Sequence, residues 1–252
     1  DDYGILWVGT DSGLNYLLPG ENRFRHINSA THADLRDDTI MALAATEKSV
    51  WIGTFEGGLY RYSRETEEIL SIPTLAGSPD AIHADGITAL IEHSSGNLVV
   101  ATYGGGVSVV SPDGVVENTF HAPPDAFFSD HAFSLLEDHE GSVIVGTDMG
   151  LAMLDRTLSM LSEYPLWDYN GPIPEEFSAG FLVWELQHAK NNDLWLGTVN
   201  HGLLRVTRDG SRNPVTIEKL GQDLDLPSQA VLAVHYDEEG YVWLSHNAGL
   251  TR

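Results

Sequence analysis

The sequence predicts an all-β fold, a β-propeller built of four-stranded antiparallel blades. Three observations lead to this prediction: a phrase that recurs six times, short apolar runs bounded by turn residues, and weak helical periodicity throughout. The phrase returns at a mean spacing of about 47 residues, which lies in the range of four-stranded blades. The small residue at the centre of the phrase stands at Gly9, Gly53, Ala101, Gly146, Gly197 and Ser245.

Each repeat carries the elements of one blade in the same order. An apolar first run, such as residues 39–45, is followed by a polar turn and then by the phrase itself, as at residues 49–54. A second turn with glycine, as at Gly57 and Gly58, leads to a third run and a weaker fourth. Short runs rich in Val, Ile, Leu, Trp and Tyr between Gly, Asn and Asp are typical of strands joined by tight turns.

Tryptophan recurs in the phrase, and we interpret it as packing between blades. The third and fourth copies have Val99 and Ile144 in its place, so the pattern survives without the indole ring. The small residue that follows should let neighbouring blades approach closely. The recurrent tryptophans are Trp7, Trp51, Trp195 and Trp243.

Four repeats are complete and two are partial. The first repeat lacks its first run, and the sixth ends at the start of its third run, near Leu250. We therefore expect residues 1–252 to form a single β-propeller region with six visible repeat copies, as part of a larger propeller.

Charge and composition exclude several classes of function. The chain has 13 Lys and Arg against 37 Asp and Glu, a net charge of −24, which argues against nucleic acid or membrane-surface contact. The same charge favours a neutral or cationic ligand over an acidic one. Cysteine is absent, which excludes disulfides, thiol catalysis and cysteine-ligated metals.

Residues 226–252, 49–69 and 132–154 carry the repeat in its fullest form. With phrases such as SVWIGTFEGGLYRYS and AVLAVHYDEEGYVWLSHNAGL, the repeats resemble the two-component regulator propeller repeat over nearly the whole chain. The chain departs from that pattern at Ala101 and Ser245, where glycine is usual, and in the long join between the fourth and fifth repeats.

The resemblance implies a non-catalytic, ligand-sensing domain of a bacterial membrane-bound two-component or cyclic-di-GMP signalling protein, located in the periplasm. In that family such propellers precede a membrane helix and a histidine kinase or diguanylate cyclase, so no enzyme activity is expected in this chain itself. We expect a small-molecule ligand, with carbohydrates among the candidates, and a homodimer of the full-length protein. A propeller enzyme, such as a lyase or glycosidase, and a protein-docking scaffold remain alternatives.

Two loop segments supply candidate ligand contacts, because loops on one face of a repeat array commonly bind ligands. Residues 162–180 combine Tyr164, Trp167 and Tyr169 with three prolines, and exposed aromatic rings suit stacking on sugars. The alternative for this segment is that it folds back and caps the blade below it.

Residues 121–131 form the second segment, with Phe127, Phe128 and His131 as candidate contacts and local packing as the alternative. His201 falls near the same predicted face and is a candidate for a polar ligand contact. The eleven histidines show no His-x-His or HExxH spacing, and neither a GxSxG nor a phosphate-loop motif is present. No metal ligand, cofactor or catalytic residue is therefore predicted.

Overall fold

The computed structural model describes residues 1–123, 128–164, 181–189, 193–208, 214–220, 226–237 and 239–252. Within these ranges the regular secondary structure is entirely β. The strands form six antiparallel sheets, four with four strands and two with three. The chain is a β-propeller in which each sheet is one blade, so the predicted fold and the two partial repeats are confirmed.

The chain divides into two compact units, Asp1–His121 with Asp130–Ala132, and Ala122–Ser129 with Phe133–Arg252. With the blades numbered in chain order, blades 1 to 3 belong to the first unit and blades 4 to 6 to the second. The exception is Ala132 of blade 4, which is grouped with the first unit. Among the described residues, no helix is long and apolar enough to cross a membrane.

The first unit contains one three-stranded and two four-stranded blades, each running in chain order across its sheet. Blade 1 consists of β1 (Leu6–Thr10), β2 (Gly13–Leu17) and β3 (Arg25–Ile27). Blade 2 consists of β4 (Ile40–Ala45), β5 (Ser49–Thr54), β6 (Leu59–Ser63) and β7 (Ile69–Ser71). Blade 3 consists of β8 (Ile87–Glu92), β9 (Leu98–Thr102), β10 (Val107–Val110) and β11 (Val116–Phe120).

The second unit repeats this arrangement, with its three-stranded blade last. Blade 4 consists of β12 (Ala132–Glu137), β13 (Val143–Thr147), β14 (Leu151–Leu154) and β15 (Leu161–Glu163). Blade 5 consists of β16 (Val183–His188), β17 (Leu194–Thr198), β18 (Leu203–Arg208) and β19 (Pro214–Leu220). Blade 6 consists of β20 (Val231–Tyr236), β21 (Val242–His246) and β22 (Gly249–Thr251).

The repeated phrase forms β1 of blade 1 and the second strand of each other blade, and its small residue lies where two blades meet. A Cβ on Gly53 would fall 2.5 Å from Cγ2 of Ile87 in the next blade, and one on Gly197 would fall 3.2 Å from Cγ1 of Val231. The expected close approach of blades at these positions is confirmed. Trp51 is 2% exposed and packs in a cluster with residues of blade 3 such as Leu98, as predicted for a core tryptophan.

The turn after the second strand is closed by the threonine that ends the phrase. Its Oγ1 donates a hydrogen bond to the carbonyl oxygen of the turn glycine at 2.7–2.9 Å in five blades. A glycine is required at Gly106, where φ is +72° and a Cβ would lie 2.0 Å from the Phe120 carbonyl oxygen. The five donors are Thr10, Thr54, Thr102, Thr147 and Thr198.

Candidate functional site

Three of the seven candidate residues, Phe127, Trp167 and Tyr169, lie outside the described residues. We expected Tyr164 to be an exposed aromatic residue, and the structure contradicts this expectation. Tyr164 is 4% exposed and packs in the core of blades 4 and 5. Its backbone nitrogen donates to the Leu151 carbonyl at 3.1 Å, which fastens it beside β14. Phe128 is equally buried, so neither ring presents a free face to a ligand.

The two candidate histidines are half-buried, and each has an aromatic neighbour. The His131 ring lies edge-on to Tyr103 with 4.6 Å between ring centroids, and Tyr103 is itself 61% exposed. The His201 ring lies edge-on to Phe181 at 6.2 Å, in the second unit. His131 directly precedes β12 and His201 lies between β17 and β18, and the role of both residues in binding stays a prediction.

A cavity of about 920 Å³ lies in the first unit. The turns between first and second strands and between third and fourth strands surround it, with contributions from blades 1, 2 and 3. We call it the Tyr3–Arg64 cavity. Its principal aromatic and basic wall residues are Tyr3, Trp7, Tyr16, Arg61, Tyr62 and Arg64.

Three aromatic rings from blades 1 and 2 form one wall of the cavity. Trp7 stacks on Tyr16 with 4.9 Å between centroids, and Tyr62 meets Trp7 edge-on at 6.0 Å. Trp7 and Tyr16 stand at paired positions of β1 and β2, so the ladder itself brings these two rings together. Burial, together with the neighbouring Tyr16, raises the pKa of Tyr62 to about 12, so its hydroxyl stays protonated at neutral pH.

Arg64 holds the blade 1 side of the cavity together. Its Nη1 pairs with Asp1 Oδ2 at 2.9 Å, and its Nε donates to the Thr46 carbonyl at 3.1 Å. The guanidinium also lies over the rings of Tyr3 and Trp7, at 5.2 and 5.5 Å from their centroids. Because it is desolvated in this position, the pKa of Arg64 is lowered from its ordinary value.

The cavity has a charge balance unlike that of the whole chain. Four of the 13 basic residues, Arg25, Lys48, Arg61 and Arg64, line it, although the net charge of the chain is −24. Acidic side chains line it as well, and burial, with the charges of Asp2 and Glu47, raises the pKa of Glu92. Donors, acceptors and aromatic surface are thus interleaved, the composition expected of a site for a polar, ring-shaped ligand.

A single carboxyl stands out in the second unit. Glu185 occupies the position of β16 that pairs with Gly197, where the corresponding residues of blades 2, 3 and 6 are Ala42, Ala89 and Ala233. Burial raises its pKa to about 7. No second charge contributes to that shift, whereas glycosidases use a pair of carboxyl groups.

In the described part of the chain, no group of three or more His, Asp or Glu side chains is assembled to hold a metal ion. The Tyr3–Arg64 cavity itself was missed from the sequence, since its wall residues come from three blades. The pairing of Trp7 with Tyr16 across a hairpin was the one signal in the sequence that could have indicated it.

No protein-family model matches the sequence, and the search of curated proteins found no match. Among solved structures, the chain resembles the extracellular domain of BT4673, a proposed hybrid two-component system from B. thetaiotaomicron, with a TM-score of 0.74 and 20% identity. A second similar structure is the extracellular domain of BT3049, a proposed hybrid two-component system from the same organism, with a TM-score of 0.59 and 18% identity. The chain shares their fold. The predicted resemblance to propellers of two-component systems is thus confirmed at the level of fold.

These matches cover 98% of this chain but only 30% of the BT4673 domain and 36% of the BT3049 domain. An enzyme shares the fold as well: a streptogramin B lyase matches with a TM-score of 0.68 at 13% identity, covering 100% of this chain and 79% of the lyase. The fold alone therefore does not decide between binding and catalysis.

Proposed function

We propose that this chain is an extracytoplasmic, non-catalytic sensing propeller of a bacterial membrane-bound signalling protein, and that it binds a saccharide in the Tyr3–Arg64 cavity. The observation that carries the proposal is this cavity, in which aromatic rings alternate with charged donors and acceptors on three blades. The extracellular domains of two-component systems with the same fold support a sensing role.

A saccharide fits the chemistry of the cavity better than an apolar ligand does. Sugar rings offer C–H faces that pack on aromatic side chains and hydroxyl groups that need both donors and acceptors. Tyr3 supplies exposed ring surface at 54% exposure, and Lys48 supplies donors. Glu47 and Glu65 supply acceptors at the same cavity.

Signalling by such a domain requires that the ligand favour one of two arrangements of the whole protein, since a ligand with equal affinity for both shifts nothing. The cavity joins turns from three blades, so a bound ligand would change the relative stability of those turns. A histidine kinase or a diguanylate cyclase beyond this chain, in a homodimer, would receive that change.

The proposal is tested by calorimetric titration and thermal shift of the chain against a panel of mono- and oligosaccharides. One saccharide class should raise the melting temperature, and Tyr3→Ala should weaken its binding at least tenfold. Phe55→Ala is the matched control, because Phe55 is exposed to a similar degree and is not among the residues that line the cavity. Equal binding by both variants, or no saccharide binding at all, would contradict the proposal.

The second candidate is an enzyme, favoured by the lyase that shares this fold. Its one structural support is Glu185, whose raised pKa suits a general acid or base at neutral pH. Incubation of the chain with the saccharides that bind, followed by mass spectrometry, separates the two. A product that disappears in Glu185→Gln would favour the enzyme, and unchanged saccharide would favour the sensor.

A further inference from the structure

The joins on either side of blade 3 bring two histidines into direct contact. His83 lies in the join before blade 3, and His121 follows β11 at its end. Nδ1 of His83 and Nε2 of His121 are 2.6 Å apart. The two ring centroids are 4.8 Å apart and the planes differ by 19°, so the rings lie nearly edge to edge in one plane with these nitrogens facing.

In each ring, the outer nitrogen, which faces away from the other histidine, is hydrogen-bonded to an oxygen acceptor. Nε2 of His83 lies 2.8 Å from the Ser78 carbonyl oxygen, and Nδ1 of His121 lies 3.0 Å from Asp130 Oδ2. A carbonyl and a carboxylate only accept, so both outer nitrogens carry the hydrogen. In the neutral rings, the two inner nitrogens then direct lone pairs at each other, so the contact is favourable only when a proton or a metal ion lies between them.

We propose that the His83–His121 pair is a binding site for a divalent transition-metal ion of the zinc class, independent of the saccharide site. Imidazole nitrogen favours Zn²⁺, Ni²⁺ or Cu²⁺ over Mg²⁺ and Ca²⁺, which prefer oxygen. The remote N–H of a metal-bound histidine characteristically donates to a carboxylate or a backbone carbonyl, and both partners are in place here. Water completes the coordination.

The backbones of His83 and of Asp130, the partner of His121, are fixed on one turn. Gly104 and Gly106, in the turn between β9 and β10, both donate to the Asp130 carbonyl at 3.0 Å. A Cβ on Gly105 would lie 2.8 Å from the His83 carbonyl carbon, so the same turn packs against the His83 segment. The site is therefore built on an ordered scaffold, as a preorganised metal site requires.

Metal entry requires the two rings to separate and to turn. Two nitrogens at 2.0–2.1 Å from a tetrahedral ion are roughly 3.3 Å apart, so the pair must open by roughly 0.7 Å, and the facing lone pairs must rotate until both point at the ion. The His121 side chain is 41% exposed and can make this movement, while the negative Asp130 beside it and the net charge of −24 favour cation entry. A scan for local motifs cannot find the site, because 38 residues separate the two histidines.

The test is calorimetric titration of the chain with Zn²⁺ and Ni²⁺ at neutral pH, with Mg²⁺ as the comparison ion. One Zn²⁺ per chain should bind, and His83→Ala or His121→Ala should abolish binding. Asp130→Asn should weaken binding tenfold to a hundredfold, as loss of such an outer partner does. His235→Ala, at an exposed histidine outside the pair, is the matched control and should bind normally.

Binding should also weaken as the pH falls, because protons compete for the same lone pairs. Nitrogen-detected NMR of the unmodified chain keeps the test valid should a variant not fold: Zn²⁺ should shift the Nδ1 signal of His83 and the Nε2 signal of His121. Absence of Zn²⁺ binding, or binding that shifts other histidines and survives both alanine variants, would overturn the proposal.

Discussion

The carboxylate of Asp237 accepts a 2.8 Å hydrogen bond from the indole Nε1 of Trp243, six residues later in blade 6. Asp1 accepts the same bond from Trp7 at 2.7 Å, again across six residues. In both places the other carboxylate oxygen accepts from the backbone nitrogen four residues on, at Tyr241 and at Ile5. The acidic residue before the turn is thus a specific anchor for the half-buried tryptophan of its blade.

Replacing Asp237 with alanine should lower the melting temperature of the chain, because both bonds are lost together. The hydrogen bond from Trp243 is the largest cause of the lowered pKa of Asp237. A lowered pKa means that the stabilisation is present above the ordinary value of 3.8 and is lost as the pH falls through the folded value. Melting curves at neutral and acidic pH measure this, with Glu239→Ala as the control in the same turn. A variant that melts like the native chain would refute the anchor.

Blade 5 lacks the anchor and allows the opposite experiment. Ala189 stands at the position of Asp237, with its nitrogen bonded to the carbonyl oxygen four residues on, and Nε1 of Trp195 is buried with no partner among the described residues. Ala189→Asp should supply the acceptor and stabilise the fold by about 1 kcal/mol, the usual net value of one hydrogen bond. Urea unfolding measures the gain. It should vanish in a Trp195→Phe background, and a gain that persists there would argue against the bond.

Glu185 should make the chain less stable as the pH rises from about 4.5 to about 7. Burial raises its pKa from 4.5 to about 7, so the folded state favours the neutral acid, and this preference is fully present only below the unfolded value. After discounting for partial exposure, the loss amounts to about 1–2 kcal/mol. Urea unfolding of Glu185→Gln across this range should lack the decline and exceed the native stability at neutral pH. Parallel pH curves for the two proteins would disprove it.

Gly53 and Ile87 should be energetically coupled. Gly53→Ala puts a methyl group against Ile87 and should cost about 1–3 kcal/mol by overpacking, and Ile87→Ala should cost about 2–5 kcal/mol by leaving a cavity. In the double variant the new methyl group occupies part of that cavity. The loss of unfolding free energy should therefore be smaller than the sum of the losses in the two single variants. Blade 3 already uses this solution, with Ala101 at the small position and Ala132 at the repeat position of Ile87. Additive costs in the unfolding cycle would contradict the coupling.

Much of the fold could be predicted because each blade repeats the same physical constraints. Gly53 and Gly197 marked the second strands, and the burial of Trp51 and Trp195 follows from the same register. Alternation of apolar and polar residues and a glycine in a turn can each be recognised from a few consecutive residues. The order of the strands within a blade could therefore be predicted from the repeated phrase. The lack of a first strand in blade 1 could be predicted from the sequence for the same reason.

The site was less predictable, because it depends on contacts between residues far apart in the chain. An aromatic residue in a proline-rich segment reads as exposed, yet Tyr164 packs into the core beside β14. Arg64 meets Asp1 and Trp7 only after blades 1 and 2 have packed. His83 and His121 meet only around the turn at Gly105, and no spacing rule joins them.

In five of the six blades, the threonine–glycine hydrogen bond closes the hairpin that follows the repeated phrase as a local unit. The bond is formed entirely within its own hairpin, at 2.9 Å in blade 2 and at 2.7 Å in blade 5. Hairpins of this kind could be duplicated, lost or recombined during evolution while the turn geometry is inherited intact. Selection could then alter joins such as those at His83 and His121 without disturbing the strands that carry them.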